Sequence, residues 1–172
     1  PCFTISSFST KILLDELTEA NLIQKTTATE ALQHYVKQKT SISTYLLDTN
    51  EISSSQLSAF FAQKNELPLF DVQTFNEKAL LPDFLDNDLL HKYQWLPIRY
   101  NTHTVLIVIS DSTTLNSLKE ITKNIDINIK VAVADYYHLK KHLERYLKAS
   151  TPANDMLSNN TLNTVTGSQR DI

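Results

Sequence analysis

His138 and His142 stand four residues apart in "DYYHLKKHLERYL", a spacing that puts two imidazoles on one helical face and could seat part of a zinc site. No cysteine, histidine or acidic ligand follows at a matching interval, and the stretch is otherwise rich in Lys and Arg, so the pair reads as solvent-facing surface. His34, His91 and His103 sit apart among polar neighbours. Asp111, in "VISDSTTL", falls at a strand-to-helix junction, where α/β sheets often bind ligands. The plainer role for it is to hold the turn and offset the dipole of the next helix, and that role is preferred. Cys2 has no base near it in the chain and lies where a nucleophile is poorly held. The sole glycine is Gly167, which excludes a phosphate-cradling loop and a dinucleotide fingerprint from these 172 residues. No catalytic set, metal set or cofactor set emerges, so an enzyme is not the expectation.

Composition narrows the class further. With 41% apolar and 20% charged residues the chain reads as globular, long enough for one ordinary domain or two small ones. A formal charge of −3 and only three arginines, Arg99, Arg145 and Arg170, argue against a nucleic-acid surface. No apolar run approaches the roughly 20 residues of a membrane-spanning helix, and no export signal is apparent. A single cysteine excludes an intrachain disulfide framework and fits a reducing compartment.

Helices must carry the first part. The phrases "ILLDELTEANLIQKTTATEAL" and "SISTYLLDTNEISSSQLSAFF" repeat, with Leu17, Asn21 and Ile23 recurring 29 positions later as Leu46, Asn50 and Ile52. Apolar residues at helical spacing predict stripes at Leu13, Leu17 and Ala20; at Ala31, Leu32, Tyr35 and Val36; at Ile42, Tyr45 and Leu46; and at Leu57, Phe60 and Phe61. Thr27 with Glu30, and Ser53 with Gln56, have the spacing of a capping box. Asn21 and Asn50 stand just past the stripes, where a helix stop needs a left-handed residue and glycine is not supplied. Ile23 and Ile52 are expected to fold back onto two αα-hairpins.

Past residue 66 the pattern changes. "ELPLFDV" predicts a short extended segment, and "PDFLDNDLLHKYQ" a helix starting near Pro82 with Leu85, Leu89 and Tyr93 on one face. "WLPIRYN" and "TVLIVIS" read as strands joined through Asn101, Thr102 and His103; "TTLNSLKEITKN" as a helix, "INIKVAVA" as a strand and "DYYHLKKHLERYL" as a closing helix. Residues 104–134 should form a right-handed βαβ crossover. The expected fold is α+β: a helical subdomain over 9–66, an α/β subdomain with a mixed sheet over 67–148, and a flexible linker over 149–172. Residues 1–8 read as a ragged chain end.

The order of "LPLFDVQTFN", "LLHKYQWLPI", "VLIVISDSTTLNSLKEI" and "LKKHLERYL" behind a twice-written helical phrase resembles the N-terminal domain of type IV pilus assembly (extension) ATPases, PilB-type, a domain that also opens type II secretion ATPases. "LFDVQTFN" leans towards the pilus branch. The resemblance covers about residues 10–148. It implies that the linker leads to a hexameric ATPase core carrying ATP and Mg, with a P-loop beyond Ile172. The segment itself would hydrolyse nothing, hold no cofactor and be monomeric. It would work in the cytoplasm at the inner face of the bacterial inner membrane, without inserting into it.

Two signals are known in that family. Some relatives bind cyclic di-GMP through a duplicated Arg-Leu-Gly-x-x-Leu phrase with a glycine at the following turn. Laid on this chain, the phrase falls on Ile12, Leu13, Leu14 and Leu17 with its turn at Asn21, and on Ser41, Ile42, Ser43 and Leu46 with its turn at Asn50. Every arginine and glycine of it is replaced. The guanidinium fork and the close backbone approach to phosphate go with them, so dinucleotide sensing is disfavoured. Other relatives dock a PilZ-type adaptor protein, and secretion-type relatives grip an inner-membrane platform protein. The adaptor is the preferred partner here. An interface of that kind needs an aromatic centre, for which Tyr35, Tyr45, Phe60 and Phe61 are the candidates.

Overall fold

The computed structural model describes residues 5–38 and 41–146. The expected linker over 149–172, Cys2 and residues 1–4 of the ragged end expected over 1–8 lie outside the described residues, whereas residues 5–8 of that end are already helical, as the start of α1. Four helices come first: α1 (Ile5–Glu19), α2 (Lys25–Gln38), α3 (Ile42–Asp48) and α4 (Ser54–Lys64). α5 (Asn87–Tyr93), β1 (Leu96–Asn101), β2 (Thr104–Ile109), α6 (Leu115–Thr122), β3 (Asn128–Val133) and α7 (Tyr136–Tyr146) follow. This is the expected α+β arrangement.

Both asparagine turns form, and by the same pattern. Asn21 (φ 61°) and Asn50 (φ 59°) are left-handed. Asn21 N donates to Thr18 O and Leu22 N to Leu17 O, as Asn50 N does to Leu47 O and Glu51 N to Leu46 O. Those paired bonds consume carbonyls that a helix end leaves orphaned. Ile23 and Ile52 are buried just beyond, closing each hairpin. Ser53 caps α4 in a reciprocal box with Gln56.

The second expected box does not form. α2 begins at Lys25, so Thr27 is already inside the helix, and its buried hydroxyl donates to Glu51 Oε1 at 3.1 Å instead. Ala20 and Val36 fall on exposed faces rather than in the core. The helix expected from Pro82 starts only at Asn87, because Asp86 provides its N-cap by accepting from Asp88 N. Leu85 therefore lies outside α5, and the side chain that α5 buries is Leu90.

The sheet runs β1-β2-β3. β1 and β2 pair antiparallel across a tight connection in which Asn101 Oδ1 accepts from His103 N. β2 and β3 pair parallel in continuous register from Thr104↔Asn128 to Ile109↔Val133, with α6 between them in the chain. β2 is buried along its whole length, as the central strand of a sheet covered on both faces must be. "LPLF" adds an extended edge beside β3, Pro68 O accepting from Val133 N and Phe70 N donating to Val133 O. One apolar core runs through both parts, from Leu13 to Leu143.

Candidate functional site

The groove that matters opens where the helical part meets the end of β2. Two residues past that strand, Asp111 takes an extended backbone (φ −141°) and caps the next turn, its Oδ1 accepting from Thr113 N at 2.9 Å and from Thr113 Oγ1 at 2.6 Å. So the turn-supporting role read from sequence is the one Asp111 fills. It does more, however. Its Oδ2 accepts from Ser43 Oγ at 2.9 Å and lies 3.4 Å from the donating Ser41 Oγ, both from the helical part. Asp111 is 9% exposed, and neutral hydroxyl and amide donors satisfy both carboxylate oxygens.

Around this carboxylate lies a cavity of about 470 Å³. Its helical wall includes Thr10, Tyr35 and Thr44; its opposite wall includes Lys92, Asn116 and Tyr136. Gln94, left-handed at the end of α5 (φ 57°), accepts from Ser110 Oγ at 3.1 Å and fixes the floor. Trp95 Nε1 donates to Thr114 Oγ1 at 3.0 Å, and that hydroxyl donates on to Asp111 O at 2.8 Å. Tyr93 stacks on Trp95 with centroids 4.5 Å apart, and the Lys92 ammonium sits 5.0 Å from the Tyr93 ring. Lys92 is the one cation among the described lining residues, which hold neither histidine nor cysteine. Such a wall can hold hydrogen-bonding groups.

The residues singled out from sequence scatter around this groove. Of the positions where the Arg-Leu-Gly phrase is degenerate, Ile12 is 43% exposed and Leu14 is core. Asn21 and Asn50 form the exposed turns, and Ser41 and Ser43 are spent on Asp111. Tyr35 lines the groove, half-buried. Tyr45 is half-buried with its ring 4.5 Å from that of His34, and half-buried Phe60 lies 6.0 Å from Phe61. Phe61 is wholly buried in the apolar core and offers no surface to a partner. His142 hydrogen-bonds through Nδ1 with the His138 carbonyl and packs among Phe75 and Tyr146. No cluster of three metal-ligating side chains occurs among the described residues. Nor, among them, is any helix long and apolar enough to cross a membrane.

Sequence reasoning missed the serine donors to Asp111, Lys92 and Gln94, and a second junction at Asp135, where Oδ2 accepts from Ser54 Oγ at 2.6 Å. The offset of Asp135 after "VAVA", matching that of Asp111 after "VLIVIS", was the available signal.

Paired helical hairpins laid on a small mixed sheet, with a hydroxyl-lined groove and a saturated carboxylate between them, define a domain of α+β class. The chain belongs to the MshEN domain family, whose model matches residues 65–153. Over 138 residues it is 23% identical to the type IV pilus assembly ATPase PilB of Acinetobacter baylyi, covering 80% of this chain and 24% of that protein. Over 137 residues it is 20% identical to PilB of Myxococcus xanthus, with the same 80% and 24% coverage. It thus spans about a quarter of the length of these relatives. Among solved structures it is similar in fold to MshE with cdg, with TM-score 0.60 and 22% identity over 78% of this chain and 97% of that one. It is also similar to the N-terminal domain of XpsE, with TM-score 0.55 and 15% identity over 85% and 99%. The resemblance read from sequence is to this same family.

Proposed function

We propose that this chain is a non-catalytic regulatory and docking domain of a cytoplasmic hexameric ATPase that drives type IV pilus assembly, and that it receives a PilZ-type adaptor protein. The similarity to two PilB proteins supports the pilus branch. One observation carries the choice of a protein over a dinucleotide. Where the relatives' phrase has Arg and Gly, this chain has Ile12 and Leu14, then Ser41 and Ser43, and the two serines are committed to Asp111. A guanine edge would find no guanidinium fork there. The hairpin turns persist on asparagine, so the scaffold outlasts the ligand equipment. Tyr35, Tyr45 and Phe60 are half-buried, and Val36 is 42% exposed, which leaves aromatic and apolar surface for a docking centre on the helical part. ATP and Mg belong to the core that the PilB relatives' greater length accommodates.

Co-purification with a PilZ-type protein from the same genome tests the reading: capture is expected, and Tyr45→Ala and Phe60→Ala should weaken it at least tenfold, as loss of an aromatic anchor does. Failure of capture alongside retention by an inner-membrane platform protein would favour the secretion-type role to which the XpsE likeness points. A second reading, cyclic di-GMP sensing, draws on the cdg in the MshE structure. Calorimetry separates it: submicromolar binding of cyclic di-GMP would replace the adaptor reading.

A further inference from the structure

The groove at Asp111 does not end at its own wall. Beside its cavity of about 470 Å³ lies a second of about 340 Å³, between α1 and α6, and the two share Leu13, Thr113 and Asn116. Joined through these residues, they make one trough. Helical spacing builds the second part: Ile12 and Glu16 stand one turn apart on α1, Leu115 and Lys119 one turn apart on α6. Lys64, near the end of α4, adds to the same wall. Ile12 is exposed and Leu115 half-buried, so this part of the trough carries an apolar shelf.

The charges of this trough do not balance. In a chain of formal charge −3, three lysines line it: Lys92 in the first cavity, Lys64 and Lys119 in the second. Its two carboxylates are already engaged. Asp111 is buried under hydroxyl and amide donors, and Glu16 pairs with Lys64 at 2.6 Å. Lys92 and Lys119 are exposed and form no ion pair among the described residues. They stand in different cavities, joined by the wall that presents Thr113 and Asn116. An occupant that satisfies both is elongated, hydrogen-bonding and negatively charged at separate points. A flat lipid surface does not enter a concave trough, and separate lysines without an arginine fork suit carboxylates spaced along a chain. We infer that the trough seats an extended acidic segment of a partner protein, with carboxylates on Lys92 and Lys119 and an apolar side chain on the Ile12–Leu115 shelf. The inference rests on the docking reading only for the partner's being a protein. Its probe contains no adaptor, so the two fail separately.

Amide chemical shifts of the full 172-residue chain test it, with the blocked peptide acetyl-Asp-Leu-Ser-Asp-Ser-Asp-amide as probe and its counterpart with Asn at every Asp as control. The Asp peptide should shift the amides of Thr113, Asn116 and Lys119, and the Asn peptide should bind about tenfold more weakly. The double variant Lys92→Gln/Lys119→Gln should lose about tenfold in affinity for the Asp peptide. Lys140→Gln/Lys141→Gln, on the exposed face of α7, should stay within about twofold. All four lysines are exposed, so both variants keep the fold. No shift in the trough, equal binding of the two peptides, or equal losses in the two variants would overturn the inference. Inorganic phosphate or cyclic di-GMP would overturn it too, if either displaced the Asp peptide from these residues at a lower concentration than the peptide itself requires.

Discussion

Asp111 and Asp135 stand at equivalent places, two residues beyond the parallel strands β2 and β3, and each divides its carboxylate in the same manner. Oδ1 serves its own chain direction: Asp111 accepts from Thr113 N, and Asp135 from Tyr137 N and His138 N. Oδ2 serves the helical part, accepting from Ser43 in one case and Ser54 in the other. Parallel strands end on one side of a sheet, so two junctions there present two carboxylates to one neighbouring layer. The helical part answers with short hydroxyl side chains, which fit a close seam where Lys or Arg would not.

That shared geometry predicts a graded response at Asp135. Asp135→Ala removes the cap and orphans Ser54, and should cost about 2–4 kcal/mol, the sum of a lost N-cap and a lost bond to a charged acceptor. Asp135→Asn keeps one acceptor oxygen and should cost less than half as much. Ser54→Ala should fall between about 1 and 2 kcal/mol. Urea unfolding with an unchanged m-value checks the series; equal costs for Ala and Asn would refute the division of roles.

Much of this fold was legible because local chemistry decided it. With one glycine in the chain, asparagine was the cheapest residue left for a left-handed helix stop, so Asn21 and Asn50 were readable at once, while Glu66 and Gln94, which take the same backbone, were not. The Ser53–Gln56 box was readable because all its partners lie within four residues. Thr27 misled because its hydroxyl serves Glu51, 24 positions away, and Pro82 misled because Asp86 caps more strongly than Pro82 starts. The groove was harder. Asp111 was visible as a strand-to-helix junction, yet Ser43 and Ser41 lie 68 and 70 positions from it, and no periodicity encodes that approach.

Trp95 offers a built-in reporter of the groove floor. It is the sole tryptophan, wholly buried, stacked by Tyr93 and bonded through Nε1 to Thr114. Thr114→Val keeps the shape but leaves the indole N–H without its acceptor, and should cost about 1–3 kcal/mol. Its emission should shift in the folded state while the unfolded spectra coincide. A variant with unaltered stability and emission would show that this bond contributes nothing.

Tyr146 should make stability fall on the alkaline side. Its hydroxyl donates to Glu77, and that bond, followed by burial, holds its pKa above the ordinary 10.0, with Arg145 opposing. The folded value exceeds the unfolded one, so the phenol's contribution is whole below pH 10 and is lost as pH climbs through the folded value. Tyr146→Phe should therefore be less stable than wild type at pH 8, with the gap closing above pH 10. Paired urea titrations across that range check it; a gap that widens with pH would contradict the sign.

The left-handed residues also say where stability was left unclaimed. Glu66 takes φ 54° at the end of α4, with Glu66 N donating to Gln63 O and Leu67 N to Ala62 O, the same paired pattern as the asparagine turns. A side chain with Cβ at this backbone costs about 1–2 kcal/mol, less for Asn and nothing for Gly. Glu66 is exposed, and among the described residues its side chain makes no hydrogen bond or ion pair that would offset the strain. Glu66→Gly and Glu66→Asn should therefore each raise the urea midpoint, by about 0.5–1 kcal/mol in free energy. Asn50→Gly should change little, whereas Asn50→Ala should cost about 1 kcal/mol. Gln94 is the informative contrast. It shares the left-handed backbone at φ 57° but accepts from Ser110 at the groove floor. Gln94→Gly gains backbone ease and loses that bond, so its net effect should lie near zero. If Gln94→Gly stabilised as much as Glu66→Gly, the Ser110 contact would be idle.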